Sequence, residues 1–392
     1  MLAIAGGKVL TMADKAFEVG TVIIKGATIC DVVEGIVEPE GWEIVNARGK
    51  IVLPGLIDAH CHVGIVEEIY RVEGDDANEI TDPVTPHLRA VDAVNPYDLG
   101  FSDALSGGVT TVVIAPGSAN IVGGEMVAMK TWGPTVDDMI LKSPVGLKAA
   151  LGENPKRSYG SRQKAPYTRM ASAAILRDSL VKAIDYMRKC DLASEGKGEK
   201  PDRDLKMESL VRVIKGEIPL RVHSHRADDI MTAVRIAREF NLKLIIEHCT
   251  EGYKVAEELA RNGVKAVIGP VIGNRAKVEL QGISLETGKI LAEKGVDFAI
   301  MTDHPVVPIQ YLAISAALSV RGGLDEEKAL RAVTADAAGI LGLKDRIGSI
   351  EAGKDADIAV FNGHPFDVRS RVERVLVSGR IVYDNVDICN IK

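Results

Sequence analysis

At 392 residues the chain exceeds what one small core can organise, and length favours one large domain of roughly 250 residues plus an accessory module. A composition that is 46% hydrophobic and 26% charged, with no low-complexity tract, excludes a disordered or fibrous chain. The net charge of −7, with lysines and arginines scattered among acids, excludes a nucleic-acid-binding face, and no run of 18 apolar residues offers a membrane span, so the expected partner is a small molecule.

The first segment, "MLAIAGGKVL", has no basic stretch before its apolar residues and is broken by glycines, so it is a poor signal peptide and a cytoplasmic location is expected. Cys30, Cys61, Cys190, Cys249 and Cys389 are odd in number and widely spaced, which suits free thiols in a reducing compartment. Residues 1 to 53 alternate β-branched and polar residues between glycine turns, as in "GTVIIKGATICDVVEG", and read as short strands. The tail from residue 344, with "ADIAVFNG" and "VERVLVSGRIVYDN", has the same texture. We therefore expect 1–53 and 344–392 to form one small β-sandwich domain from both chain ends.

Between them the grammar is strand then helix. "GLIDAH", "TTVVIAPG", "EMVAMKT", "VGLKAAL", "IPLRVHS", "LKLIIEH", "VKAVIGP" and "VDFAIMTD" are eight apolar runs of the kind found in buried parallel strands. Helical patterns at 170–190, 229–240, 252–263 and 288–295 separate several of them. This predicts an α/β fold, a TIM-type (β/α)8 barrel over 54–343. A Rossmann-like sheet is disfavoured because no GxGxxG lies between a strand and a helix. The acidic, proline-containing loop 63–98 is long for a βα connection, a length typical of lids and subunit contacts, and a homo-oligomer is compatible with it.

Reactive groups of such barrels sit at the carboxyl ends of the strands. Four runs stop on a metal-ligand residue: His60, His223, His248 and Asp303. Five of the eight histidines, His60, His62, His223, His225 and His248, fall at these ends. Residues i and i+2 of a strand share a face, so His60 and His62 can converge on one ion while Cys61 points away.

The segments "LPGLIDAHCH", "VHSH", "IIEHC" and "MTDHP" resemble the ligand segments of the amidohydrolase superfamily, which includes relatives of the imidazolonepropionase, dihydroorotase and prolidase kind. The strand-rich ends are similar to that superfamily's sandwich. The resemblance implies that His60 and His62 hold a more buried metal, that His223 and His248 hold a second position, and that Asp303 is both ligand and general base. It also implies a strand-four ligand: Lys148, carboxylated, or Glu153 in "GENP", with Glu153 slightly preferred because it needs no modification, and Glu125 as a third candidate. His225, His304 and Asn120, the last in glycine-rich "PGSANIVGGE", are candidate substrate contacts.

The cofactor expected is a divalent metal, zinc first, as one or two ions, with Mn, Fe or Co compatible with nitrogen and oxygen ligands. The function expected is hydrolysis of a C–N bond in an amide, cyclic amide or N-acyl or dipeptide-like compound. Two alternatives are a mononuclear deaminase or imidazolone-type hydrolase, and a barrel scaffold without catalysis, which the intact His and Asp set argues against.

Overall fold

The computed structural model describes residues 1–69 and 72–385, so Cys389 and the rest of 386–392 lie outside the described residues. Strands β1 (Leu2–Val9), β2 (Phe17–Lys25), β3 (Thr28–Glu34), β4 (Glu43–Asn46) and β5 (Ile51–Pro54) come from the beginning of the chain. The barrel strands are β6 (Leu56–Cys61), β7 (Val109–Ile114), β8 (Val122–Lys130), β9 (Ile140–Ala150), β10 (Leu220–Ser224), β11 (Leu244–His248), β12 (Lys265–Ile268) and β13 (Phe298–Ile300). β14 (Ile358–Phe361), β15 (Val372–Val377) and β16 (Arg380–Asp384) complete the described chain.

Strands from both ends share one sheet in the order β16-β15-β14-β5-β1-β2-β3, with β4 on β1. Its own apolar core joins Ile4, Val22 and Val52 to Ile358, Val360 and Leu376. The opposite side of the C-terminal strands, through Phe361, Val372 and Val375, packs into the large core of the barrel's outer layer. A buried lysine fastens the two sheets: Lys130 Nζ on β8 lies 3.0 Å from Asp357 Oδ1, 2.9 Å from Asp355 Oδ2 and 2.7 Å from Ser378 Oγ.

The eight predicted runs are the eight strands of the second sheet, in the order β13-β12-β11-β10-β9-β8-β7-β6. The expectation of eight parallel strands is corrected at one place: β8 runs antiparallel to both β7 and β9. Only residues 115–121 separate β7 from β8, too few for the dozen or more that a parallel crossover takes, so the chain turns back as a hairpin. The remaining neighbours pair in parallel. The cylinder is nearly closed, and at its mouth Asp303 N–H donates to His60 O (3.3 Å) and His62 N–H to His304 O (2.9 Å).

Alternation explains both surfaces except on β9, where irregular pairing with β8 around Gly146 lets Val145 point in and Leu147 point out. Ile57, Ala59, Val113, Met126, Val145, Ile245, Val267 and Ala299 fill the barrel interior, beside the helix Ala335–Leu341. Leu147, Leu220, Val222, Leu244 and Ile246 face the outer helices and meet Leu180 of the helix Arg169–Ser194 and Ile230 of the helix Ala227–Glu239. Each such fully buried aliphatic side chain stabilises the fold by about 1.5–3 kcal/mol. Thr168 starts the first of those helices, its hydroxyl accepting from the Ala171 N–H at 3.1 Å. The described residues of loop 63–98 reach the barrel. They form short bridges to β8 through Val84–Val122 and Arg89–Glu125.

Candidate metal centre

A cavity of about 470 Å³ opens at the carboxyl ends of the strands, with His62, Lys148, His223, His225, His248 and Asp303 on its walls. Two irregularities aim these side chains. On β6 the pairing register slips between Asp58 and Cys61, so the bulge turns His60 toward the interior, where Ile57 and Ala59 already point, and sends Cys61 into the outer core. On β11 simple alternation from Ile245 would put Glu247 inward and His248 outward. His248 instead adopts φ +69°, a left-handed backbone rare for a non-glycine residue, and its ring comes within 4.2 Å of His223 between centroids. Asp303 is also left-handed, at φ +57°. Such conformations cost about 1–3 kcal/mol each and concentrate at functional sites.

The histidines form two triads. In the first, His60 Nε2 and His62 Nε2 lie 3.5 and 3.4 Å from Asp303 Oδ1. In the second, His223, His225 and His248 bring ring nitrogens within 4.8 Å of one another. The rings of His60 and His248, 5.5 Å apart, join the two. Anchors outside the triads fix the rings. His62 Nδ1 donates to Ala115 O (2.7 Å) and His248 Nδ1 to Gly269 O (3.0 Å), while His225 Nδ1 pairs with Thr250 Oγ1 (2.7 Å). His60 Nδ1 lies 2.9 Å from Glu247 Oε2, in close contact though off the best hydrogen-bond line. Asp58 accepts the His60 N–H (3.2 Å) and both the N–H and hydroxyl of Thr302, clamping β6 to the segment that carries Asp303.

Burial keeps four of the imidazoles, those of His60, His223, His225 and His248, neutral. It pushes His60 and His225 down to about 3 and lowers His223 and His248 as well. Burial alone would raise the Asp303 carboxyl, but His62 and His60 hold it below the ordinary range, so it is ionised at neutral pH. Neutral imidazoles and a carboxylate are the donor set that a divalent cation of the Zn, Mn, Fe or Co type takes. The 3.4–3.5 Å contacts match the edge of about 3.4 Å between ligands at 2.0–2.1 Å from one tetrahedral ion. Two buried atoms of the second triad's surroundings, His223 Nδ1 and Glu279 Oε1, have no hydrogen-bond partner, a state that costs about 1–3 kcal/mol per group unless something binds there.

The other sequence candidates fall into clear places. Lys148, 1% exposed on the interior side of β9, puts Nζ 3.2 Å from His60 Nε2, and burial pushes its ammonium down to about 8. Glu153 is not among the triads: its Oε1 accepts the Glu279 N–H (3.1 Å) and its own N–H donates to Glu279 Oε2 (3.0 Å). Glu125 accepts from Ser209 Oγ at 2.9 Å on the outer side. Asn120 turns away from the cavity and spends its amide on Glu79 O, Thr85 Oγ1 and the Tyr159 hydroxyl. His304 is buried, with Nδ1 accepting from the Ile309 N–H (3.2 Å) and Nε2 3.4 Å from Glu68 Oε1. Sequence reasoning missed Arg221, Glu247 and Glu279. The first two had a signal, a charge inside an apolar run in "IPLRV" and "KLIIEH".

A sequence model described as Amidohydrolase family matches residues 201–383. The crystal structure of an amidohydrolase from Thermotoga maritima MSB8 superposes with a TM-score of 0.95 at 45% identity, covering 98% of this chain and 100% of that one. The chain belongs to the amidohydrolase family. Amidohydrolase tasK of Hapsidospora irregularis is 31% identical over 370 residues, which is 88% of this amidohydrolase but only 38% of the tasK length. An imidazolonepropionase of Rhizobium rhizogenes is 25% identical over 345 residues, 82% of this amidohydrolase and 80% of that enzyme. Among the described residues no helix is long and apolar enough to cross a membrane.

Proposed function

We propose that this amidohydrolase hydrolyses a C–N bond of a small molecule, an amide, cyclic amide or N-acyl or dipeptide-like compound, in the cavity over the two triads. The observation that carries the reading is the convergence of His60, His62 and Asp303 with His223 and His248 on one barrel mouth. His60, His62 and Asp303 hold one divalent ion, zinc before Mn, Fe or Co, and His223 and His248 a second. Lys148 takes the strand-four role at the first position in its carboxylated form, since its buried Nζ already touches His60, whereas the Glu153 carboxylate faces Glu279.

A divalent ion bound there supplies a water pKa lowered from 15.7 to about 7 and polarises a carbonyl oxygen. The chain's residues do the rest. Asp303, ionised and at the cavity wall, accepts the proton of the attacking water on its carboxylate and returns it to the leaving nitrogen. Val66, Ile272 and Ile283 give the cavity apolar walls for a substrate body, while Asn78 and Ser118 offer polar contacts. The likeness to an imidazolonepropionase supports a second reading, opening of a cyclic amidic ring such as an imidazolone by the same residues. The residue blocks 1–53 with 344–392, and 54–343, are proposed as the sandwich and barrel domains, and the location as cytoplasmic.

The test is metal analysis of the purified protein, followed by a screen of cyclic amides, N-acyl amino acids, dipeptides and aminated heterocycles. For the substrate found, Asp303→Asn should lower turnover by about 10²–10⁴-fold with metal content unchanged. Full turnover in that variant refutes the role of Asp303, and a protein that takes up no divalent ion refutes the reading as a whole.

A further inference from the structure

The second strand-five histidine, His225, and the acid of the loop after β12, Glu279, are not among the ligands and the base proposed above. His225 Nδ1 is held by Thr250 Oγ1 at 2.7 Å, which leaves Nε2 as its free nitrogen, and that atom lies 3.7 Å from Glu279 Oε1. His223 Nε2 lies 4.0 Å from the same oxygen. Both distances are too long for hydrogen bonds. They are near the separation of two ligands around one transition-metal ion, about 3.4 Å at the edge of a tetrahedron. Glu279 is 0% exposed, and its two oxygens are treated differently. Oε2 accepts the Glu153 N–H at 3.0 Å, whereas Oε1 has no hydrogen-bond partner, with Lys277 Nζ at 3.9 Å the other charge near it. Asn154 Nδ2 lies 3.3 Å from His223 Nε2, a contact that an ion bound to that nitrogen would displace.

We propose that His225 and Glu279 complete the second cation position with His223 and His248, as a closed cage of three imidazoles and one carboxylate for a zinc-like divalent ion. The inference rests on the reading above that the barrel mouth binds divalent metal. Four protein ligands fill a tetrahedral ion and leave no open position. The second ion is then a structural one that tethers the loop carrying Glu279 to β10 and β11, and hydrolysis belongs to the position of His60, His62 and Asp303. A buried carboxylate oxygen that faces two imidazoles and accepts no hydrogen bond, with Lys277 Nζ no nearer than 3.9 Å, is otherwise a cost to the fold.

The experiment is zinc stoichiometry by elemental analysis, together with chelator competition for the tighter and weaker ions. It uses the full chain in wild-type form and as Glu279→Gln, His225→Asn and Glu279→Asp, with far-UV circular dichroism confirming the fold of each. Wild type should hold two zinc ions. Glu279→Gln and His225→Asn should each bind one of them about 100-fold or more weakly, more than the 10–100-fold typical of losing an outer-shell partner, and leave the other unchanged. Glu279→Asp, which keeps the carboxylate, should recover part of that loss. If either of the first two variants keeps both ions within about tenfold of wild-type affinity, the cage is wrong while the hydrolase reading stands. A wild type that holds a single ion also overturns the cage, and a wild type that holds none overturns both. Should a variant misfold, cobalt titration of metal-free wild type decides: a second absorption step with a tetrahedral band that an added substrate analogue leaves unchanged supports the cage, and a second band that shifts with the analogue, or a single step, overturns it.

Discussion

The ion pair inside the barrel should be worth more to the protein than any contact on its surface, and the substitution that exposes this is Arg221→Met. Arg221 and Glu247 are both 0% exposed. The guanidinium Nε donates to Glu247 Oε1 in a short hydrogen bond, and Nη2 donates to Ala59 O at 2.8 Å, so one side chain ties β10 to β11 and to β6. Burial by itself would raise the Glu247 carboxyl, but Arg221 and His60 hold it down to about 2, and it stays charged at neutral pH. Methionine fills a similar volume without a charge and leaves that carboxylate in the barrel with His60 as its remaining close partner. Breaking a buried pair from one side costs about 3–5 kcal/mol. At roughly 2 °C per kcal/mol for a chain of this size, the melting temperature should fall by roughly 6–10 °C. Thermal unfolding followed by circular dichroism, with chelator present so that metal binding does not contribute, measures the fall. The double variant Arg221→Met, Glu247→Leu removes the stranded charge and should recover about 1–3 kcal/mol of the loss. A single-variant melting temperature within 2 °C of wild type, or strictly additive effects in the double variant, would refute the reasoning.

The same logic applies between the sheets, where Lys130→Met strands the buried Asp357 carboxylate beside Asp355 and should destabilise the protein by about 3–5 kcal/mol, read from the denaturant midpoint; no shift would count against the contact. A Cβ on Gly55, the single residue between β5 and β6, would lie 2.0 Å from Thr110 Oγ1, and Thr110 is 1% exposed with no room to yield. Gly55→Ala should therefore cost about 1–3 kcal/mol, and a variant as stable as wild type would show that the strand crossing is looser than drawn. Burial pushes the Cys249 thiol up to about 12, so it stays protonated and unreactive at pH 8, whereas Cys30 is exposed. Iodoacetamide on native protein followed by peptide mass analysis should modify Cys30 and spare Cys249, and modification of Cys249 before unfolding would contradict its burial.

How much of this was legible from the residues depends on whether a feature obeys strand periodicity. The eight apolar runs are the eight barrel strands because a buried strand must be apolar whatever its direction. Direction was not legible: a run such as "EMVAMKT" reads the same in a parallel or a reversed strand, and only the shortness of 115–121 told against a crossover. The histidines were found because each ends its run. Their aim, however, depends on a register slip in β6 and a left-handed residue at His248, which no pattern of residue types encodes. Lys148 and Glu153 were left open for the same reason. Both lie near the end of β9, and it is strand parity that puts the lysine inside, since Leu147 and Ala149 on either side of it face the helices. Glu279 lay furthest from view, in a loop without periodicity, 31 residues beyond His248 in the chain and brought back to the histidines only by the fold. That contrast has a physical root. Hydrophobic periodicity reports which surfaces are dry, and a dry surface is what makes a buried charge costly. Arg221, Glu247, Lys148 and Glu279 are visible in sequence only to the extent that they violate it, so the residues that matter most for this site are best sought among the charges an apolar core should not contain.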